Sequence, residues 1–319
     1  MKEKIIAVVG PTASGKTSLS IRLAQELNGE IVSCDSMQIY RGMCIGTAAP
    51  TVEEMAGIPH HLIGFVSPAQ EFSVAEYRER AAECIADIAS RGKTPIFCGG
   101  TGLYLDALLR VSAFSEVEKS EDLRRELTEY AAVNGNEALH AQLAEVDPSA
   151  AEAIHPNNVR RVVRALEMYR LTGITKTEWD KRSLAQDTAY DARILALDFH
   201  DRTILHRRIE MRVDQMMEQG LEEEIRALYE AGLLQPKSIA GQAIGYKEFL
   251  PYLAGESTLD AVAEEIKGAT RRYARRQLTW FRRYEDAMWL YPDTEGDPDA
   301  SLKSADELVQ IVLDSGYLK

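Results

Sequence analysis

The residues Gly10-Pro11-Thr12-Ala13-Ser14-Gly15-Lys16-Thr17 satisfy the spacing G-x-x-x-x-G-K-[ST] in full. Residues of these types at this spacing bind polyphosphate: backbone N–H groups wrap the anion, the lysine ammonium neutralises its oxygens, and the Thr17 hydroxyl ligates Mg²⁺. Two other segments could act beside it. Asp35, in Cys34-Asp35-Ser36-Met37-Gln38-Ile39-Tyr40, is a lone carboxylate after a short apolar run and could serve as a general base. Its alternative role is a turn cap. In Gly99-Gly100-Thr101-Gly102-Leu103-Tyr104 the glycines allow close backbone approach, and Thr101 has the one hydroxyl able to donate toward a ligand.

Basic residues gather in one stretch of an acidic chain. The 319 residues hold 37 Lys+Arg against 50 Asp+Glu, a net charge of −13, which excludes a uniformly basic nucleic-acid sleeve. Yet Lys267, Arg271, Arg272, Arg275, Arg276, Arg282 and Arg283 follow one another with no acid between them. Read as a helix, this stretch carries a stripe of Tyr273, Gln277, Trp280, Phe281 and Tyr284, expected in the core, with arginines on its flanks. A second cluster, Arg160-Arg161 with Arg164, lies far away in sequence. Two basic patches on an acidic protein suit an extended polyanion.

The elements that must position these residues alternate in type. Apolar runs at Ile5–Val9, Glu30–Ser33, Thr94–Cys98 and Arg193–Phe199 read as buried strands. Helical stretches follow at Lys16–Leu27, Phe72–Ser90, Arg202–Ala231, Thr258–Glu285 and Ala305–Leu313. The pattern predicts an α/β fold: a P-loop NTPase-like parallel sheet with helices on both faces. Ligands bind outside the carboxyl ends of such strands, so the three loops should converge there. Residues 115–188 are charged and helix-forming, with breaks at Asn134-Gly135-Asn136, Asp147-Pro148 and His155-Pro156, and read as a helical insertion. Residues 1–114 and 189–319 then form the core. Cys34, Cys44, Cys84 and Cys98 show no Cys-x-x-Cys spacing, no signal peptide opens the chain, and no run approaches the ~20 apolar residues of a membrane span. The expectation is a cytoplasmic, monomeric protein away from membranes.

As a set the residues resemble the bacterial tRNA dimethylallyltransferases. The resemblance rests on Gly10 to Thr17, Asp35 to Tyr40, Gly99 to Tyr104, Arg164-Ala165-Leu166-Glu167, Arg208-Ile209-Glu210 with Arg212, Gly245-Tyr246, and Arg276-Gln277 with Thr279-Trp280, in the family's order. It implies transfer of a dimethylallyl group from its diphosphate to the exocyclic amine of the adenosine 3′ of the anticodon, tRNA position 37, with Mg²⁺ as cofactor. By the same resemblance Lys16, Arg208 or Arg212 would stabilise the departing diphosphate. Thr101 would donate to its bridging oxygen, and Asp35 would take the amine's proton. Asp35, Ser36, Met37, Gln38, Thr101, Arg160, Arg161, Arg164, Gln242, Gly245, Tyr246, Arg272, Arg275 and Arg276 would meet tRNA, the insertion gripping the anticodon stem-loop.

Three rivals share parts of this pattern. A nucleoside or small-molecule kinase would load ATP on the phosphate loop and needs an acid for Mg²⁺, for which Asp198 at the end of Ile194-Leu195-Ala196-Leu197 is the candidate. An adenylate isopentenyltransferase would share the prenyl donor. A nucleotide-switched RNA-binding module would leave Asp35 and Thr101 as turn residues.

Overall fold

The computed structural model describes residues 2–109, 120–185, 190–236, 238–297 and 300–319. In chain order it forms β1 (Glu3–Val9), α1 (Lys16–Glu26), β2 (Gly29–Ser33), β3 (His60–His61), α2 (Val74–Ser90), β4 (Thr94–Gly99) and α3 (Gly102–Leu109). The helices α4 (Glu121–Asn134), α5 (Asn136–Val146), α6 (Pro148–Ala153), α7 (Val159–Thr172) and α8 (Lys176–Ala185) come next. The chain closes with β5 (Tyr190–Leu197), α9 (Arg202–Glu218), α10 (Leu221–Glu230), α11 (Leu250–Leu253), α12 (Leu259–Phe281), β6 (Met288–Leu290) and α13 (Ala305–Ser315).

All six strands are parallel, in the order β3-β2-β4-β1-β5-β6. The central strand β1 is buried from Ile5 to Val9, as a strand covered on both faces must be. Ile6, Val8, Ile31, Ile96, Leu195 and Leu197 pack on Leu19 and Leu23 of α1 and Val309 and Val312 of α13. The alternate residues Ile5, Ala7, Val9 and Phe97 are equally buried and project from the other face. There α2 docks, its Tyr77 hydroxyl donating to the Ser33 carbonyl at 3.1 Å and its ring stacked 3.8 Å from Tyr104.

The expected elements shift in places. The stretch Arg202–Ala231 is two helices, because Gly220 takes a left-handed φ of 96° that ends one turn and starts the next. The helix expected to reach Glu285 stops at Phe281. Strands β3 and β6 were not anticipated; at two and three residues they are too short for periodicity to reveal.

Packing divides the chain into one unit of Met1–Leu108 with Tyr190–Lys319 and another of Leu109–Ala189. The expected boundaries beside residues 115 and 188 lie outside the described residues. In the second unit the helices enclose Leu127, Leu139, Leu143, Val162 and Leu166. No helix among the described residues is long and apolar enough to cross a membrane.

Candidate active site

Register decides what meets at the sheet's carboxyl edge. Val9 pairs with Gly99 and Ser33 with Cys98, so the loops leaving β1, β2 and β4 start side by side. The phosphate loop turns on Gly10, where a Cβ would lie 2.8 Å from the Leu197 carbonyl oxygen, and enters α1 through Gly15 at φ 94°. Lys16 folds back over the loop, its Nζ donating to the Pro11 carbonyl at 2.6 Å. Burial lowers its pKa to about 8, against a partial opposing pull from Asp35. The Ser14 hydroxyl is buried there without a partner among the described residues.

Sequence pattern did not separate Arg208 from Arg212. Arg208 braces the loop, its Nε donating to the Ala13 carbonyl at 2.8 Å. Arg212 lines the cavity, and its shielded Nε has no partner among the described residues. Withdrawal from water lowers the pKa of both guanidiniums.

The cavity, about 360 Å³, is lined by Thr12, Lys16 and Thr17, by Asp35 to Gln38, by Arg212, and by Tyr273, Arg276 and Gln277 of α12. Asp35 does both things its type allows. Oδ1 accepts from the Met37 N–H at 2.9 Å, the turn-cap role, while Oδ2 has no hydrogen-bond partner among the described residues. Thr101 stands one layer back and is not among the lining residues. Its hydroxyl accepts from the Ser36 N–H at 3.0 Å and donates to Ser36 Oγ at 3.2 Å, with the Tyr273 hydroxyl in contact. Gln38 is committed too: Oε1 accepts from Ser33 Oγ at 2.9 Å, and Nε2 donates to the carbonyls of Thr47 and Ala48.

Gln277, expected only in an apolar stripe, is a strut of the site. Its Oε1 accepts from the Thr12 N–H and its Nε2 donates to the Gly100 carbonyl, both at 2.9 Å, tying the phosphate loop to the second glycine loop. Gly100 and Gly102 of that second loop serve helix packing rather than ligand approach. A Cβ on Gly100 would lie 2.0 Å from Gln277 Nε2, and one on Gly102 2.2 Å from Trp280 Cδ1. Nothing local in the sequence marks this, because the partners come from opposite ends of the chain.

The basic stretch sorts itself by pairing. Lys267 bonds Asp214 and Glu264, Arg271 bonds Glu210 at 2.6 Å, Arg282 reaches Asp198 at 3.5 Å, and Arg283 bonds Asp106 at 2.6 Å. Arg272, Arg275 and Arg276 are exposed and carry no ion pair among the described residues; Arg276 lies 5.6 Å over the Tyr273 ring. Asp198, the acid a kinase would need, is buried and held by Arg202 and Arg282. In the helical unit Arg160 and Arg161 are exposed, but Arg164 is anchored on the fully buried Glu167 at 2.7 Å. Gln242 and Gly245 line the cavity. Tyr246, expected to meet RNA, is instead 1% exposed, its hydroxyl on Glu224 at 2.6 Å. A buried ring supports the wall and presents nothing to a ligand.

Thr17 and Asp35 put one hydroxyl and one carboxylate on the same cavity. Among the described residues no group of three or more His, Cys, Asp and Glu could hold a metal ion alone. Such a sparse oxygen set fits a hard cation that keeps waters and takes its other ligands from phosphate oxygens, as Mg²⁺ does.

A family model described as IPP transferase matches residues 38–284, and one described as isopentenyl transferase matches residues 3–63. The chain belongs to the IPP transferase family. A tRNA dimethylallyltransferase of Thermoanaerobacter sp. (strain X514) is 48% identical over 294 residues, covering 92% of this chain and 93% of the relative. One of Shouchella clausii (strain KSM-K16) is 48% identical over 316 residues, 99% of each chain. Among solved structures, the full-length tRNA isopentenylpyrophosphate transferase from Bacillus halodurans matches with a TM-score of 0.71 at 43% identity, over 99% of this chain and 97% of that one. A eukaryotic dimethylallyltransferase acting on tRNA matches with a TM-score of 0.76 at 33% identity, over 93% of this chain and 76% of that one.

Proposed function

We propose that this chain is a tRNA dimethylallyltransferase, moving a dimethylallyl group from dimethylallyl diphosphate to the exocyclic amine of the adenosine 3′ of the anticodon and releasing diphosphate. The observation that carries the reading is one cavity holding both halves of that chemistry. Lys16, Arg212 and the loop N–H groups form an anion site, and Asp35 faces the same space with one oxygen uncommitted. Ile209, Val213, Met216 and Ile266 line it as well and suit a five-carbon apolar tail.

As the C–O bond of the donor breaks, Lys16 and Arg212 stabilise the charge gathering on the leaving diphosphate, with Arg208 stiffening the loop. The amine nitrogen bonds the freed carbon and its proton passes to Asp35 Oδ2, a step worth ~10²–10⁴ in rate. Thr101, one layer behind the cavity with its hydroxyl proton given to Ser36 Oγ, acts by holding the Asp35–Ser36 turn in register and does not reach the bridging oxygen. Mg²⁺, held by Thr17 and diphosphate oxygens, would add charge neutralisation on the leaving group. The adenosine must leave its stack to enter the cavity. Exposed Arg272, Arg275 and Arg276, with Arg160 and Arg161 of the helical unit, would hold the backbone of the anticodon stem-loop, while Ser36, Met37, Gln242 and Gly245 lie against the bases. The enzyme would work as a cytoplasmic monomer.

The pairing of Asp198 with arginines disfavours the kinase. Unpaired arginines disfavour a free adenylate acceptor, and Asp35 Oδ2 has no purpose in a mere RNA-binding switch. Purified protein with labelled dimethylallyl diphosphate, Mg²⁺ and unmodified tRNA tests the reading. Label should enter tRNA and not AMP, and Asp35→Asn should slow the single-turnover step at least about a hundredfold. Label that never enters tRNA defeats it.

A further inference from the structure

Glu224 stands in the first turn of α10, outside every loop that sequence pattern singles out. A glutamate there ordinarily faces water and favours the helix dipole. This one reaches across to another segment. Its Oε2 accepts from the N–H groups of Cys44 and Ile45, both at 2.8 Å, and its Oε1 accepts from the Gly46 N–H at 3.2 Å and the Tyr246 hydroxyl at 2.6 Å. Three consecutive backbone N–H groups turned onto one carboxylate form an anion nest, here filled by the protein's own side chain.

Both segments it joins are walls of the cavity: Gly46 to Ala48 on one side, Gln242 to Gly245 with Lys247 on the other. The joint is tight, since a Cβ on Gly46 would lie 2.6 Å from Tyr246 Cε2. The order passes inward. Thr47 and Ala48, the next residues of the held loop, offer the carbonyls that fix the Gln38 amide, and Gln38 is three residues beyond Asp35. None of the groups bonded to Glu224 belongs to the phosphate loop or to the arginines beside it.

We propose that Glu224 is a positioning residue for the acceptor nucleotide: its carboxylate locks the 44–48 loop to Tyr246 and so sets the half of the cavity that receives the tRNA base, independently of the diphosphate half. The proposal rests on the transferase reading, and its test carries a binding arm that needs no turnover. Glu224→Gln offers an amide NH₂ to groups that are themselves donors, and Gly46→Ala strains the same joint from the opposite side. Both should raise the KM for tRNA and the Kd for an unmodified anticodon stem-loop about tenfold or more, the size of one lost charge-assisted hydrogen bond. The Kd for inorganic diphosphate should stay within about twofold. Tyr246→Phe, which cuts the carboxylate's bond to Tyr246 but leaves the three N–H bonds in place, should raise the tRNA KM and the stem-loop Kd in the same direction by about three- to tenfold. Unchanged RNA affinity with a lowered melting temperature would make Glu224 merely structural and overturn the proposal; so would a parallel loss of diphosphate affinity. If the wild type binds RNA but moves no prenyl group, the transferase reading fails while the binding arm still judges Glu224.

Discussion

Lys16 yields a prediction whose size follows from its surroundings. Burial lowers its pKa to about 8, from the 10.5 of a solvated lysine. Its proton is therefore lost as pH rises through 8, and with it the charge that meets the diphosphate. The ammonium fraction is about nine tenths at pH 7, a half at pH 8, a tenth at pH 9 and a hundredth at pH 10. The ligand changes little over this range, because the last proton of a terminal phosphate leaves with a pKa near ~6. Nor do Arg208 and Arg212, since guanidinium keeps its proton. Burial also pushes the neighbouring Cys98 thiol upward.

Affinity for the prenyl diphosphate in the absence of tRNA should therefore hold up to pH 7.5, fall about tenfold by pH 9, and level off. The fall is bounded at about 12- to 160-fold by the ~1.5–3 kcal/mol that a hydrogen bond to a charged group contributes. Isothermal titration with an unreactive thio-analogue of dimethylallyl diphosphate reads this directly. Lys16→Arg carries its charge across the whole range and should abolish the step, even if the altered reach weakens binding throughout. Wild-type affinity flat from pH 7 to 10, or an equal step in Lys16→Arg, would refute the reasoning.

Gln277→Ala leaves the Thr12 N–H and the Gly100 carbonyl unsatisfied and should weaken diphosphate binding by about 10–100-fold, measured by the same titration, with the protein still folded by circular dichroism. Replacing Arg272 and Arg275, which are exposed and off the cavity lining, together by alanine should lower tRNA affinity and reduce the slope of log K against log salt by about 1.4–1.8, read by fluorescence anisotropy, without changing diphosphate affinity. At the opposite edge of the sheet, Glu30 is a buried carboxylate bonded by Arg91, Lys93 and His61, which hold its pKa well below the ordinary value of 4.5. Its contribution is therefore complete above pH 4.5 and drains away below it. Glu30→Gln should cost about 1.5–3 kcal/mol at pH 7 in denaturant unfolding, and the mutant should narrow its gap to wild type as the solution is acidified.

The sequence by itself determined the parts whose physics is local. A glycine-rich turn between an apolar run and a helix start specifies a phosphate site from eight neighbouring residues, and strand-length apolar runs announced the sheet that carries it. Asp35 and the second glycine loop were legible because they follow such runs. Beyond that range the pattern falls silent. Gln277 finds its partners 265 and 177 residues away, and Glu224 bonds a loop 180 residues before it. The seven cations between Lys267 and Arg283 look alike in sequence, yet only the acids that tertiary packing brings to Lys267, Arg271, Arg282 and Arg283 decide which charges are spent and which three stay open. Tyr246 and Arg164 changed from surface contacts into supports for the same reason. Residue type sets what a side chain can bond, whereas strand order and helix packing decide what stands within 3 Å of it, and only that second choice separates a site residue from the frame that holds it.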